Sequence, residues 1–161
     1  MVRTAGTGIC TAALLRASLS DGARLLGEES LAAALAIERA AGRTIVFTNG
    51  CFDVLHRGHT SYLKQARALG DVLVVAVNDD DSTRRLKGPG RPVNPSADRA
   101  GVLAELTSVD YVTVFSEDTP VRLIETPIVE AHGGRVRIVD YVSPHSTSEI
   151  IARARAAGAE A

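Results

Sequence analysis

Two histidines, His56 and His59, stand in the run HRGH with only Arg57 and Gly58 between them. Imidazoles donate hydrogen bonds and titrate near neutrality, so a close pair suits anionic oxygen ligands. Gly58 removes a side chain where another group must come close. The wider stretch, Thr48 to His59, reads TNGCFDVLHRGH. It follows the apolar run Thr44-Ile45-Val46-Phe47 and precedes Thr60 to Leu69, in which Leu63, Ala66 and Leu69 recur at helical spacing. The predicted order is therefore strand, Gly-containing turn, helix. α/β proteins hold phosphates at such corners, because the helix N-terminus offers free N–H groups and partial positive charge. Either histidine alone would read as a helix cap or a buried, satisfied ring. Two of them at a helix start point to the handling of a polyphosphate. Within the turn, Asn49 either touches phosphate or shapes the chain. Asp53 reads as an acceptor for turn N–H groups, with orientation of a histidine as the alternative. Cys51 reads as a small buried residue rather than a nucleophile.

The elements that must position this corner follow from apolar periodicity. Glu28 to Ala41 is a helix with Leu31, Ala34 and Leu35 on one stripe, expected to pack on the sheet or on a dimer partner. Asp71 to Val77, DVLVVAV, is continuously apolar, as befits a strand buried on both faces of a parallel sheet. It runs into Asn78-Asp79-Asp80-Asp81, which either attracts Mg²⁺ or forms a solvated turn and helix cap. Ser82 to Pro95 carries Arg84, Arg85, Lys87 and Arg91 without an acid. Its Gly88, Pro89, Gly90 and Pro92 predict an irregular basic loop over the edge that carries the histidines. Asn94-Pro95-Ser96 caps a helix with Val102, Leu103 and Leu106 inward, and Arg99 lies in that helix's first turns. Tyr111 to Phe115 is a third strand. Thr119-Pro120 starts a helix. Arg135 to Tyr141 is a half-exposed edge strand, and Ser146 with Glu149 makes a capping box for a last helix to Ala157.

The whole chain bounds what this corner serves. With 161 residues and a net charge of −1, it suits one domain without a global field for nucleic acid or an anionic membrane. Tryptophan is absent, which disfavours base-stacking platforms. Cys10 and Cys51 make no disulfide framework, so a reducing cytoplasm is expected. No run approaches the ~20 apolar residues of a membrane span. Residues 1–27 read as an N-terminal tail or loosely packed helix before a catalytic domain at 28–161. A signal or transit peptide fits them poorly, because Arg16 interrupts a short apolar run.

HRGH resembles the HxGH motif of the nucleotidyltransferases related to cytidylyltransferases. The longer run, TNGCFDVLHRGHTSYLKQARALGD, is similar to the adenylyltransferases that act on heptose 1-phosphate. The resemblance extends from about Leu31 to Ala154 and takes in LKGPGRPV, the Asn78-Asp79-Asp80 turn and Ser146-Thr147-Ser148. It implies a doubly wound, mainly parallel α/β sheet with the site above the carboxyl ends of the strands. It also implies Mg²⁺-dependent transfer of an adenylyl group from ATP to D-glycero-β-D-manno-heptose 1-phosphate, giving ADP-heptose and pyrophosphate by direct in-line attack. By the same resemblance His56, His59 and Lys87 are catalytic. Nucleotide contacts fall to Thr48, Asn49, Gly50, Cys51, Phe52, Asp53, Gly58, Asn78, Asp80, Arg91, Arg99, Ser146, Thr147 and Ser148. No side chain is assigned to the metal, and a homodimer is expected.

Two alternatives stay open: a cytidylyltransferase acting on another phosphorylated alcohol such as glycerol 3-phosphate, and a catalytically impaired nucleotide-binding protein. The relatives that use glycerol 3-phosphate carry an arginine just before the last motif, and Tyr141 to His145 has none. Residues 5–19, AGTGICTAALLRASL, faintly resemble the end of the kinase domain that precedes this one in bifunctional heptose enzymes. The chain also departs from the family. Roughly twenty residues that would carry an interior strand beside the first one are missing between Glu125 and Thr126. Either the last strand fills the place, or the segment was left out of the sequence, or the protein is degenerate.

Overall fold

The computed structural model describes residues 23–119. Four parallel strands form one sheet: β1 (Arg24–Leu25), β2 (Ile45–Gly50), β3 (Val72–Asn78) and β4 (Tyr111–Phe115), in the order β1-β4-β3-β2. Four helices connect them: α1 (Glu28–Ala40), α2 (Arg57–Arg67), α3 (Asp80–Lys87) and α4 (Ser96–Ala104). The register runs from Ile45 opposite Val72 to Gly50 opposite Val77, and from Val74 opposite Tyr111 to Asn78 opposite Phe115. The ends of β2, β3 and β4 therefore lie level along one edge.

β3 is buried over its whole length, and the pleat sends alternate side chains to opposite faces. Leu73, Val75 and Val77 join Leu63 and Ala66 of α2 and Ala100, Leu103 and Ala104 of α4 in one core. Val72 and Val74 meet Leu31 and Leu35 of α1, with Tyr111, on the other face. Helices on both faces of a parallel sheet make the doubly wound architecture expected from the sequence. α1 packs on the sheet through its apolar stripe. It also buries Glu38, which accepts from the Tyr111 hydroxyl at 2.7 Å and pairs with Arg43. Gly70, at the turn from α2 into β3, sits where a Cβ would come within 2.7 Å of the Thr44 carbonyl oxygen. That close approach lets the turn dock on the start of β2.

Three features differ from the sequence expectation. Arg24 and Leu25, assigned to the tail, pair with Tyr111 and Val112 as a short edge strand. Ser82 to Lys87, expected to be irregular, belongs to α3. Asp79 caps this helix by accepting from Ser82 N at 2.7 Å, and the breakers act only from Gly88 onward. α2 begins at Arg57 rather than Thr60, so both histidines lie at its first turn. The position expected to miss a strand, the strand at Arg135–Tyr141 and the Ser146–Ser148 motif lie outside the described residues. No helix among the described residues is long and apolar enough to cross a membrane.

Candidate active site

The strand-to-helix corner after β2 is built by a tight turn. Phe52 adopts a left-handed conformation, with φ of 46°, and is buried. Its ring lies so close to Gly50 that a Cβ there would sit 3.1 Å from it. The turn delivers the chain to His56, the cap of α2, whose Nδ1 accepts from Gly58 N at 3.1 Å. An accepting Nδ1 is unprotonated, so the His56 proton resides on Nε2 and that nitrogen is the donor. The His56 and His59 ring centroids are 4.0 Å apart, tilted by 44°. Phe52 backs His59 at 5.4 Å. Burial, and secondarily the neighbouring His56, push the His59 pKa down to about 4. Near pH 7 His59 is therefore a neutral donor, where the sequence allowed it to become cationic. No acid occupies the first turn of α2, so its N-terminal positive potential is uncompensated there.

One turn further along α2, the Tyr62 hydroxyl bonds to Thr48 Oγ1 at the end of β2. Burial pushes the Tyr62 pKa up. This contact fixes the rotation of the helix that carries the histidines. Thr48 was expected to contact nucleotide, and its hydroxyl is held by Tyr62. Tyr62 itself escaped the sequence reading, although its place three residues after His59 puts it on the same helical face.

Beside this corner, on the same edge, lies a network centred on Arg99. Its side chain is 1% exposed. Nε donates to the Asn94 carbonyl at 2.9 Å, Nη2 to Asp80 Oδ1 at 2.7 Å, and Nη1 to the carbonyls of Asn78, at 2.8 Å, and Cys51. Asp80 Oδ1 also accepts from Ser96 N at 2.7 Å. Asn78, at the end of β3, donates through Nδ2 to Ser82 Oγ and the Glu117 carbonyl. The Cys51 thiol donates to Asn78 Oδ1 at 3.8 Å. Arg99, a nucleotide contact by the resemblance, has its guanidinium engaged here by Asp80 and three backbone carbonyls.

The basic segment returns to the histidine corner. Arg91 Nε bonds to Asp53 Oδ2, while Val93 N and Asn94 N donate to Asp53 Oδ1 at 2.6 and 3.2 Å. Asp53 thus caps a distant loop rather than its own turn. Arg84 pairs with Asp81 and Arg85 with Asp118. Lys87 is exposed, with no partner among the described residues. Asn49 is exposed at the end of β2, and Gly58 is buried in the first turn of α2. Of the three aspartates considered for a cation, Asp79 caps a helix, Asp80 holds Arg99 and Asp81 holds Arg84. Among the described residues no group of three or more His, Cys, Asp or Glu side chains is placed to hold a metal.

The sequence profile described as cytidylyltransferase-like matches residues 47–154. The bifunctional protein HldE of Alkalilimnicola ehrlichii is 48% identical over 176 aligned positions, covering 94% of this chain and 37% of that protein. Its namesake in Azotobacter vinelandii is 49% identical over 151 positions, covering 81% and 32%. The chain spans about a third of the length of these curated relatives. The crystal structure of the lipopolysaccharide core biosynthesis protein from Thermoplasma volcanium is similar over 52% of this chain and 66% of that one, with 36% identity and a TM-score of 0.47. The alignments also bear on length. For the first relative, 94% of 161 residues is about 151, so about 25 of the 176 positions face no residue of this chain. For the second, 81% is about 130, which leaves about 21 of 151. A shortfall of this size matches the one read from the sequence after Glu125.

Proposed function

This chain belongs to the cytidylyltransferase-like family, and on that premise we propose that it transfers the adenylyl group of ATP to D-glycero-β-D-manno-heptose 1-phosphate. The observation that carries the reading is the His56–His59 pair, 4.0 Å between ring centroids, at the start of a helix on the carboxyl edge of a parallel sheet. The similarity to the HldE proteins and the resemblance of residues 48–71 to heptose 1-phosphate adenylyltransferases support the acceptor.

The reaction needs no enzyme nucleophile. A phosphate oxygen of the sugar phosphate, already ionised, attacks the α-phosphorus of ATP in line. The bond from that phosphorus to the bridging oxygen breaks, and its electrons leave with pyrophosphate. The work left to the protein is alignment and stabilisation of charge on the phosphoryl oxygens. His56 donates from Nε2. His59, neutral before substrate arrives, donates an N–H without bringing a fixed charge, and the backbone amides of the first turn of α2 add to it. Lys87 supplies a cation from the end of α3, and Arg91 braces the loop that follows against Asp53. The Ser146-Thr147-Ser148 motif completes the phosphate contacts in this reading. A divalent ion is expected to come with the nucleotide's phosphates. The aspartates Asp79, Asp80 and Asp81 do not fit a resident metal site, since each already has a protein partner. Cytoplasmic location and a homodimer go with this reading, and sedimentation velocity tests the second.

Pyrophosphate release measured across ATP and CTP, each with heptose 1-phosphate and glycerol 3-phosphate, is the test. Release with ATP and the heptose phosphate alone supports the proposal; release with CTP and glycerol 3-phosphate moves the chain to the other enzyme reading. The missing stretch of about twenty aligned positions favours one further reading, a nucleotide-binding protein with impaired turnover. Calorimetric binding of ATP without pyrophosphate release from any pair would establish that one.

A further inference from the structure

Asp53 has a side chain 1% exposed, and both its oxygens are committed to one distant segment. Oδ2 takes Arg91 Nε, and Oδ1 takes Val93 N and Asn94 N. Asn94 Nδ2 donates back to the Asp53 carbonyl at 2.9 Å. From the other side, Arg99 grips the Asn94 carbonyl and Asp80 grips Ser96 N. The stretch from Arg91 to Ser96 is therefore fastened at one end to the turn before the histidines and at the other to the start of α3. α3 itself is fixed by its Asp79 cap. Between these holds lies the short link at Gly88 to Gly90, two glycines at φ of 92° and 87°, which follows directly on Lys87, the last residue of α3. A carboxylate with both oxygens occupied is a poor phosphate ligand, and its charge would oppose a triphosphate.

We propose that Asp53 is a positioning residue that touches no substrate. It anchors, beside the histidine corner, the far root of the Gly88–Gly90 link and so limits fraying of the last turn of α3, from which the Lys87 ammonium reaches. The inference rests on the proposed nucleotidyl transfer. A link held at both roots samples few conformations and keeps the helix end beside it ordered, so bringing the Lys87 cation to a ligand costs little entropy. Released at one root, it must be ordered each time. Asp53 acts through Lys87, and the effects of the two residues on nucleotide affinity must then be coupled.

The experiment is a double-mutant cycle of Asp53→Ala and Lys87→Ala, read as ATP affinity by calorimetry and as kcat/KM for pyrophosphate release. Amide hydrogen exchange at Val93 and Asn94 reports the root, and exchange in β3 reports the fold. Lys87→Ala is expected to weaken ATP binding about tenfold in the native background and less than about twofold beside Asp53→Ala. Exchange at Val93 and Asn94 should rise while β3 stays protected. The same fold-change for Lys87→Ala in both backgrounds overturns the proposal. Should Asp53→Ala fail to fold, Asn94→Ala loosens the same root from an exposed side chain. An undiminished Lys87→Ala effect in that background overturns the proposal equally. ATP binding without turnover would end the transfer reading while the affinity cycle still decides the role of Asp53. No measurable ATP binding by the unaltered chain overturns both.

Discussion

Two neighbouring stretches of the same sheet edge both carry basic groups, and they use them oppositely. Around the starts of α3 and α4 each of four arginines meets a carboxylate: Arg84 with Asp81, Arg85 with Asp118, Arg91 with Asp53 and Arg99 with Asp80. At the β2–α2 corner two imidazoles stand at a helix start whose first turn holds no acid, and Lys87, at the end of α3, has no partner among the described residues. A count of basic residues along the chain weights the first stretch more heavily. The carboxylates reverse that weighting, since a cation already neutralised in the protein adds little for an incoming phosphate. What sets Lys87 apart from these arginines is the lack of a counter-charge among the described residues, more than the charge itself.

The strongest way to break this contrast is at its open side. His59→Ala should lower turnover by ~10²–10³ through loss of a phosphoryl-oxygen donor, with unfolding by denaturant little changed. Normal turnover in a folded His59→Ala protein would remove the imidazole pair from the mechanism. On the closed side the pattern should invert. Arg99→Met removes four hydrogen bonds that join β2, β3, α3 and the loop. It should cost about 3 kcal/mol of stability, measured by urea unfolding. An Arg99→Met protein of native stability that had lost only ATP affinity would return Arg99 to the phosphate site.

The sequence made one half of this contrast legible and hid the other. β3 announced itself because six apolar residues in a row, Val72 to Val77, need no partner to be recognised as a two-faced strand. The corner was visible because its chemistry is local: HRGH, the turn before it and the apolar stripe of α2 lie within about twenty residues of one another. Arg99 and Asp53 look like any polar residue near a helix start. All but one of their side-chain partnerships reach from 19 to 48 positions away in the chain, which no local pattern records. α3 was missed for a different reason. The cluster Gly88-Pro89-Gly90 and Pro92 dominated the reading of the whole basic run, whereas a capping aspartate and an Asp81–Arg84 pair suffice to build two turns before those breakers. β1 is two residues long, too short for any periodicity. Glu38 showed the same limit on the far side of the sheet, where only its Tyr111 and Arg43 partners explain a buried acid in an otherwise amphipathic helix.

A smaller perturbation sharpens how the open corner is held. Tyr62→Phe deletes the hydroxyl that bonds to Thr48 while keeping the ring. The expected cost is about 1 kcal/mol of stability, one net hydrogen bond. Because α2 would lose its rotational tie to β2, kcat should fall more than ATP affinity. Equal loss in both would make Tyr62 a simple packing residue.

The finest test uses pH, since the corner contains an imidazole displaced from its ordinary titration. His59 has a folded-state pKa of about 4 against 6.5 for the free side chain. Between those values the unfolded chain binds more protons at this position than the folded one, so unfolding free energy rises with pH. The contribution is complete above pH 6.5 and is lost progressively as pH falls toward 4. The ring is only partly buried, so solvent screening keeps the effect modest. His59→Gln keeps a polar, donor-bearing side chain that does not titrate. Urea unfolding from pH 4 to 7 should give a flatter stability profile for this variant than for the native chain. ATP should act in the opposite sense to burial: a triphosphate against the ring favours its protonated form, so saturating nucleotide should move the His59 titration, followed by NMR, upward from about 4. A titration unmoved by saturating ATP would place the nucleotide away from His59 and leave the corner as a structural cap.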